Sequence, residues 1–231
     1  MAQIAREAIG GSARTAVTTI LLIVAAIVAC ERASAQIAQM GICKPISQRT
    51  GEVGCWISAN EPLGQLPAGR MFWHLYTYPT RSAADAASGP RTTVVEAFGK
   101  VWLFSIAEAG WRASAGERVA EIGPLPVHSS LKYTAQYMES TFAPGMTTPV
   151  HRHPGPEAWY TLSGETCLET PQGRTVSRPG GPHVIIPGDV PMQLTAIGSE
   201  MRRSFVLVLH DSVHPAGSPA PDWMPKGLCK S

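Results

Sequence analysis

No stripe of basic residues interleaved with aromatics occurs anywhere in this chain, and its formal net charge is only +2. Without that electrostatic footprint, nucleic acid is not an expected partner. No CxxC pair occurs among the five cysteines, which argues against a structural zinc site. The main apolar run, Ala16 to Ala29, is broken only by Thr18 and Thr19 and covers 14 residues. Roughly 20 are needed to span a bilayer as a helix, so no stable membrane span is expected. Aromatics are modest at 7%, whereas Gly 22 and Pro 20 are high. That balance favours many short strands joined by turns over a helical bundle. The 231 residues, 44% of them hydrophobic, allow one sizeable core with substantial extensions.

The first 35 residues follow a separate logic. Arg6 and Arg14 form a positive leader, the apolar run follows, and Ala33-Ser34-Ala35 places small residues where a signal peptidase cuts. Residues 1–35 are expected to be a signal peptide, with a periplasmic or secreted product. Ile27-Val28-Ala29-Cys30 also resembles a bacterial lipobox, and a lipidated Cys30 would tether the protein to a membrane instead. Outside the leader, Cys43, Cys55, Cys167 and Cys229 remain, and four cysteines allow three pairings. An oxidising compartment lets them pair. The expected set is Cys43 with Cys55, closing a short loop, and Cys167 with Cys229, pinning the C-terminal tail.

Along the rest of the chain, residues 36–130 are expected to be a β-rich N-terminal extension that adds strands or forms a degenerate second lobe. Its first part, 36–70, is rich in Gly, Pro and polar residues and reads as an irregular arm. Met71 to Tyr78 is apolar, aromatic and strand-like, and Arg81 to Ser88 holds alanines suited to a short helix that Gly89-Pro90 stops. Two strands flank Gly99-Lys100, and another is expected around Val119 to Ile122. Residues 131–210 show the turn spacing of an antiparallel barrel or sandwich. Strands are expected at Lys132 to Phe142, 149–153, 157–163, Glu165 to Glu169, Val184 to Ile186, Met192 to Ala196 and Arg203 to His210. The tail, 211–231, carries Pro215, Pro219, Pro221 and Pro225 and should lie extended on the surface.

The chemistry concentrates between Gly145 and Gly164. His151 and His153 are two apart, and in a strand such residues face the same side. Pro149 and Pro154 argue against a helix there. Pro154-Gly155-Pro156 turns the chain, so Glu157 can open the neighbouring strand and face the same interior. Two imidazoles and a carboxylate suit a divalent first-row metal and leave positions open for water, oxygen or substrate. Alternation from Glu157 points Trp159 and Thr161 inward, where they line the pocket or pack the core. Tyr133, Gln136, Tyr137 and Met138 lie on the preceding strand, whose inward face stays open. His74, His128, His210 and His214 lack partner spacing and read as structural.

The string G-x5-H-x-H-x3-E-x6-G from Gly145 to Gly164 resembles the first motif of the cupin superfamily at every spacing. The resemblance implies an all-β fold: a jelly-roll β-barrel with the site inside. The second cupin motif is only partly matched. Gly181 and Pro187 fit, but Asp189 stands in place of a glycine, Met192 in place of the fourth ligand, a histidine, and Ala196 in place of an asparagine. A thioether is a soft ligand, better suited to reduced copper than to manganese or zinc. Three readings stay open: a three-ligand site with Fe, Mn, Ni or Zn; a fourth ligand from Met192 or a distant histidine such as His183, with Cu; or a metal-free pocket. The resemblance implies an oxygenase, isomerase or lyase acting on a small organic molecule, with His151 and His153 as ligands and Glu157 as ligand or base. The alternative is a non-catalytic exported small-molecule-binding protein. Pairing into a homodimer is also implied by the resemblance alone.

Overall fold

A computed structural model describes residues 43–230. The expected signal peptide and Cys30 lie outside the described residues. The extension contributes β1 (Lys44–Pro45), β2 (Gly54–Gln65), β3 (Met71–Tyr78), helix α1 (Arg81–Ala86), β4 (Thr92–Ala97), β5 (Lys100–Glu108) and β6 (Glu117–Leu125). The remainder contributes β7 (Lys132–Phe142), β8 (His151–Arg152), β9 (Glu157–Ser163), β10 (Glu165–Thr170) and β11 (Gly173–Ser177). It ends with β12 (Val184–Ile186), β13 (Gln193–Ile197), β14 (Arg202–Asp211) and β15 (Ser218–Pro219). The fold is all-β, as the turn spacing predicts. Among the described residues, no helix is long and apolar enough to cross a membrane.

A six-stranded sheet, in the order β1-β2-β7-β14-β9-β12, forms the middle of the molecule. On one face lies the four-stranded sheet β4-β5-β3-β6, and on the other the three-stranded sheet β11-β10-β13. Because strand side chains alternate between faces, the central sheet supplies two cores. Phe205, Leu207 and Leu209 of β14 join Tyr137 of β7 and Ala158 of β9 against Trp73, Trp102 and Phe104 in the outer core. Val206 and Val208 of β14 join Met138, Trp159 and Leu168 in the inner core, the jelly-roll interior. Fully burying one large apolar side chain contributes roughly 1.5–3 kcal/mol, so both faces of β9 and β14 are strongly held in register.

The extension therefore does more than flank the barrel. β2 pairs with β7 along most of its length, and β3 to β6 cover the sheet that carries the site. This corrects the irregular-arm reading over residues 54–65, where a 12-residue strand stands. The breakers that suggested irregularity are absorbed locally. Register shifts fall between Ile57 and Ala59 and between Pro62 and Gly64, and Gly64 adopts φ +65°. Irregularities of this kind accommodate Pro and Gly without ending a strand. β11, which the sequence reading passed over, continues from the turn at Pro171-Gln172 and pairs with β10.

Helix α1 forms where the alanine run predicts it. Thr80 caps it, its Oγ1 accepting from the Ala83 N–H at 3.2 Å. Both expected disulfides are present, Cys43–Cys55 with Cα atoms 4.6 Å apart and Cys167–Cys229 with 5.6 Å. The tail is extended and lies mostly on the surface, as its prolines suggest, with two residues tucked in. Ala220 and Cys229 are buried, and β15 pairs with β8. The carboxylate of Glu169, buried on β10, accepts from the backbone N–H groups of Lys226 and Leu228.

Two predictions follow from the packing. Replacing Cys167 and Cys229 together by serine should lower unfolding stability in urea by about 2–4 kcal/mol, since the bridge closes a long loop; an unchanged midpoint would contradict the bridge. His74 on β3 is fully buried, donates from Nε2 to the Glu108 carbonyl at 3.0 Å, and has its pKa lowered by burial. A lowered folded-state pKa contributes stability that is present above the unfolded value, about 6.5, and lost as pH falls through the folded value. Thermal unfolding of the wild type should therefore weaken more steeply below pH ~6.5 than that of a His74→Gln variant; parallel profiles would exclude the effect.

Candidate metal centre

The segment leading into β8 lies antiparallel to the chain around β13. Thr148 N–H donates to Leu194 O at 2.9 Å, His151 N–H to Met192 O at 3.1 Å, and Met192 N–H to His151 O at 2.8 Å. This extended backbone sets His151 and His153 on one face, their ring centroids 5.0 Å apart. The chain then turns through Pro154-Gly155-Pro156 into β9. A Cβ on Gly155 would lie 2.1 Å from the Leu209 carbonyl oxygen, and one on Gly188 would lie 2.8 Å from the Gly155 Cα. The turn is thus wedged between β14 and the loop after β12, backbone against backbone, which only glycine permits. Leu209 N–H donates to Pro156 O at 2.9 Å, and Asp189 N–H to His153 O at 2.7 Å. Asp189 adopts φ +62°. The left-handed conformation explains why a glycine suits this place, and Asp is among the few other residues that tolerate it.

These constraints bring together three of the residues expected at the site. Donor atoms of His151, His153 and Glu157 all lie within 4.8 Å of one another, with His153 Nε2 3.3 Å from Glu157 Oε2. Glu157 is 4% exposed. His151 Nδ1 contacts the Pro149 carbonyl at 2.9 Å, and His153 Nδ1 the Ala216 carbonyl at 2.5 Å. A carbonyl can only accept, so each Nδ1 carries a proton, and a neutral ring then keeps its lone pair on Nε2. Apart from each other, His153 Nε2 and Glu157 Oε2 meet no polar group within hydrogen-bond reach among the described residues.

Burial pushes the His151 pKa down, with the Glu157 carboxylate opposing it and His153 adding to the depression. For His153, burial also acts downward, but the charge and contact of Glu157, with the Ala216 carbonyl, outweigh it and raise the pKa. Two buried imidazoles pushed in opposite directions around one carboxylate form a charge-coupled cluster of the kind found at functional sites.

Met192 is fully buried and directly opposite His151 in the backbone pairing. Directly paired residues share a face, so its side chain lies beside the cluster and within the apolar inner core. Trp159 and Thr161 follow Glu157 on the inward face of β9, both buried, and Thr161 Oγ1 is 2.7 Å from Ser177 Oγ. His183 is exposed and does not join the cluster. His74 lies in the outer four-stranded sheet, and His210 and His214 sit with Asp211 at the end of β14, with contacts of 2.9 and 3.4 Å. The sequence reading missed one participant in the cluster and one charged residue elsewhere in the inner core. Ala216 acts through its backbone oxygen, which no side-chain pattern can signal. Arg202 begins β14 one residue before the expected strand, yet its even-numbered parity with Ser204, Val206 and Val208 was readable.

No protein-family model matches the chain, and no curated protein matches it. Among solved structures it is similar to an RmlC-like cupin family protein with a double-stranded β-helix fold from Methanocaldococcus jannaschii, at 23% identity over 32% of this chain and 67% of that one, TM-score 0.30. It is also similar to a cupin domain from Bordetella pertussis, at 21% identity over 37% of this chain and 88% of that one, TM-score 0.29. A third is the DMSP lyase from Ruegeria pomeroyi, at 21% identity over 40% of this chain and 45% of that one, TM-score 0.33.

A Gly155→Ala variant should lose roughly 1–3 kcal/mol of stability from overpacking and displace Glu157 from the histidines. Chemical denaturation of the purified chain checks this, and wild-type stability would show that the turn has room to yield. By the spacing of the hairpin Gly145–Gly164 the chain resembles the cupin superfamily.

Proposed function

We propose that this chain is an exported, metal-dependent enzyme of the cupin type that acts on a small organic molecule. The observation that carries the reading is the convergence of His151, His153 and Glu157, with His153 Nε2 and Glu157 Oε2 buried and facing each other at 3.3 Å. Neither atom has any other polar partner among the described residues. A divalent cation satisfies both atoms at once. Two imidazole nitrogens and one carboxylate fit iron, manganese, nickel, zinc or copper, and three protein ligands leave positions open.

When bound there, the ion supplies Lewis-acid polarisation of a substrate oxygen. The chain's own residues do the rest. His151 and His153 present Nε2, and the Pro149 and Ala216 carbonyls hold the rings in that tautomer and orientation. Glu157 would serve as ligand or as general base. The apolar inner core around Trp159 and Leu194 excludes water from the centre. Such a site serves an oxygenase, an isomerase or a lyase; which of these it is follows from the substrate, not from the fold.

The reading includes export and cleavage of the leader near Ala35, supported by the two disulfides, which persist in an oxidising compartment. A second reading, a non-catalytic binding protein, is favoured by Met192. That residue places a thioether where a fourth donor would stand and leaves the centre short of nitrogen ligands. One comparison separates the two. A His151→Ala variant that keeps wild-type circular dichroism and thermal midpoint, yet loses its divalent metal by mass spectrometry and its turnover, supports the enzyme. A wild type without metal, or unchanged ligand binding with turnover in neither protein, supports the binder.

A further inference from the structure

The inner core holds a second charged group that the metal reading does not use. Arg202, at the start of β14, is 1% exposed. Its side chain crosses between the central and three-stranded sheets. Nε donates to Thr166 Oγ1 on β10 at 2.7 Å, and Nη1 to Ser140 Oγ on β7 at 2.6 Å. The guanidinium carbon sits 5.1 Å from the Phe142 ring centroid. All of these partners are neutral. Nη2 has no partner among the described residues.

A buried cation with only hydroxyl partners is costly unless an anion completes it. Burial lowers the Arg202 pKa only to about 10, so the group stays charged at neutral pH. Glu157 acts on it through space but does not touch it. The strand register relates the two. Across β9 and β14, Glu157 stands opposite Val208, Trp159 opposite Val206 and Thr161 opposite Ser204, while Ser140, which Arg202 reaches, stands opposite Ser204 on β7. The guanidinium thus lies near the level of Thr161, two inward residues along β9 from Glu157. Midway, Trp159 Nε1 is likewise buried and unpartnered. Once a divalent ion occupies the triad, one carboxylate cannot balance both ion and guanidinium, and the interior carries surplus positive charge.

We propose that the inner core takes a small organic acid whose carboxylate pairs with Arg202 Nη2 and whose other end points toward His151, His153 and Glu157. A carboxylate is favoured over phosphate because Nε and Nη1 are already committed to Thr166 and Ser140, and Nη2 alone offers too few donors for the oxygens of a tetrahedral dianion. Arg202 is here a specificity group: it selects acids over neutral analogues. The direction of the ligand rests on the metal reading; the carboxylate contact does not.

The test therefore uses chelator-treated protein, free of metal. Thermal unfolding is followed at constant ionic strength with acetate, succinate, their amides and inorganic phosphate. Wild type should gain several degrees with the carboxylates and none with the amides. His151→Ala should keep that gain, which separates this inference from failure of the metal reading. Arg202→Met should lose the gain while its ligand-free midpoint stays at or above wild type, because an unpaired buried charge has gone. Should Arg202→Met not fold, Arg202→Lys decides: at least tenfold weaker carboxylate binding supports the contact, and unchanged affinity overturns it. No gain with any carboxylate, an equal gain in Arg202→Met, or a gain with phosphate alone also overturns it.

Discussion

The structure depends on one sheet being buried on both faces. Strand side chains alternate, so each residue of β7, β9 and β14 belongs to one of two cores. Shifting any of these strands by one residue would exchange the contents of both. Phe205 and Leu207 hold the outer core against Trp102 and Phe104, while Val206 and Val208 face the inner one. That double burial locks the parity that sends Glu157, Trp159 and Thr161 inward. The extension strands β3 to β6 contribute no residue to the metal cluster, yet their sheet completes the outer core that fixes the register of the strands that do.

The second constraint is backbone contact. Gly155 and Gly188 meet without side chains, and Asp189 holds the His153 carbonyl from a left-handed turn. The histidine rings are then oriented by backbone carbonyls, one from Pro149 and one from Ala216 in the tail. The tail is itself anchored by Cys167–Cys229 and by Glu169. A remote covalent bond thereby supports the orientation of a ring at the centre. Groups that need rigid placement for ligand geometry gain it from such surrounding contacts.

Much of this was legible in the residues. Alternation in Lys132 to Phe142 and the spacing of His151, His153 and Glu157 carry local information, and both appear as read. The Cys43–Cys55 and Cys167–Cys229 pairings were legible as well, the first from its short loop. What escaped depends on tertiary context. Pro62 and Gly64 look like strand breakers, but a bulge absorbs them within β2. The tail prolines signal an extended chain without saying what it packs against. Ala216 acts through its carbonyl, and Arg202 stands out only by what surrounds it: hydroxyls, an aromatic ring and no contacting carboxylate.

The central claim is that His151, His153 and Glu157 hold one divalent ion. Diffraction from crystals of the purified chain, recorded on either side of the absorption edge of whichever metal copurifies, tests this directly. A single anomalous peak at about 2.0–2.2 Å from both histidine nitrogens and a Glu157 oxygen is the predicted result. No peak in the inner core, or one at the protein surface only, would contradict it.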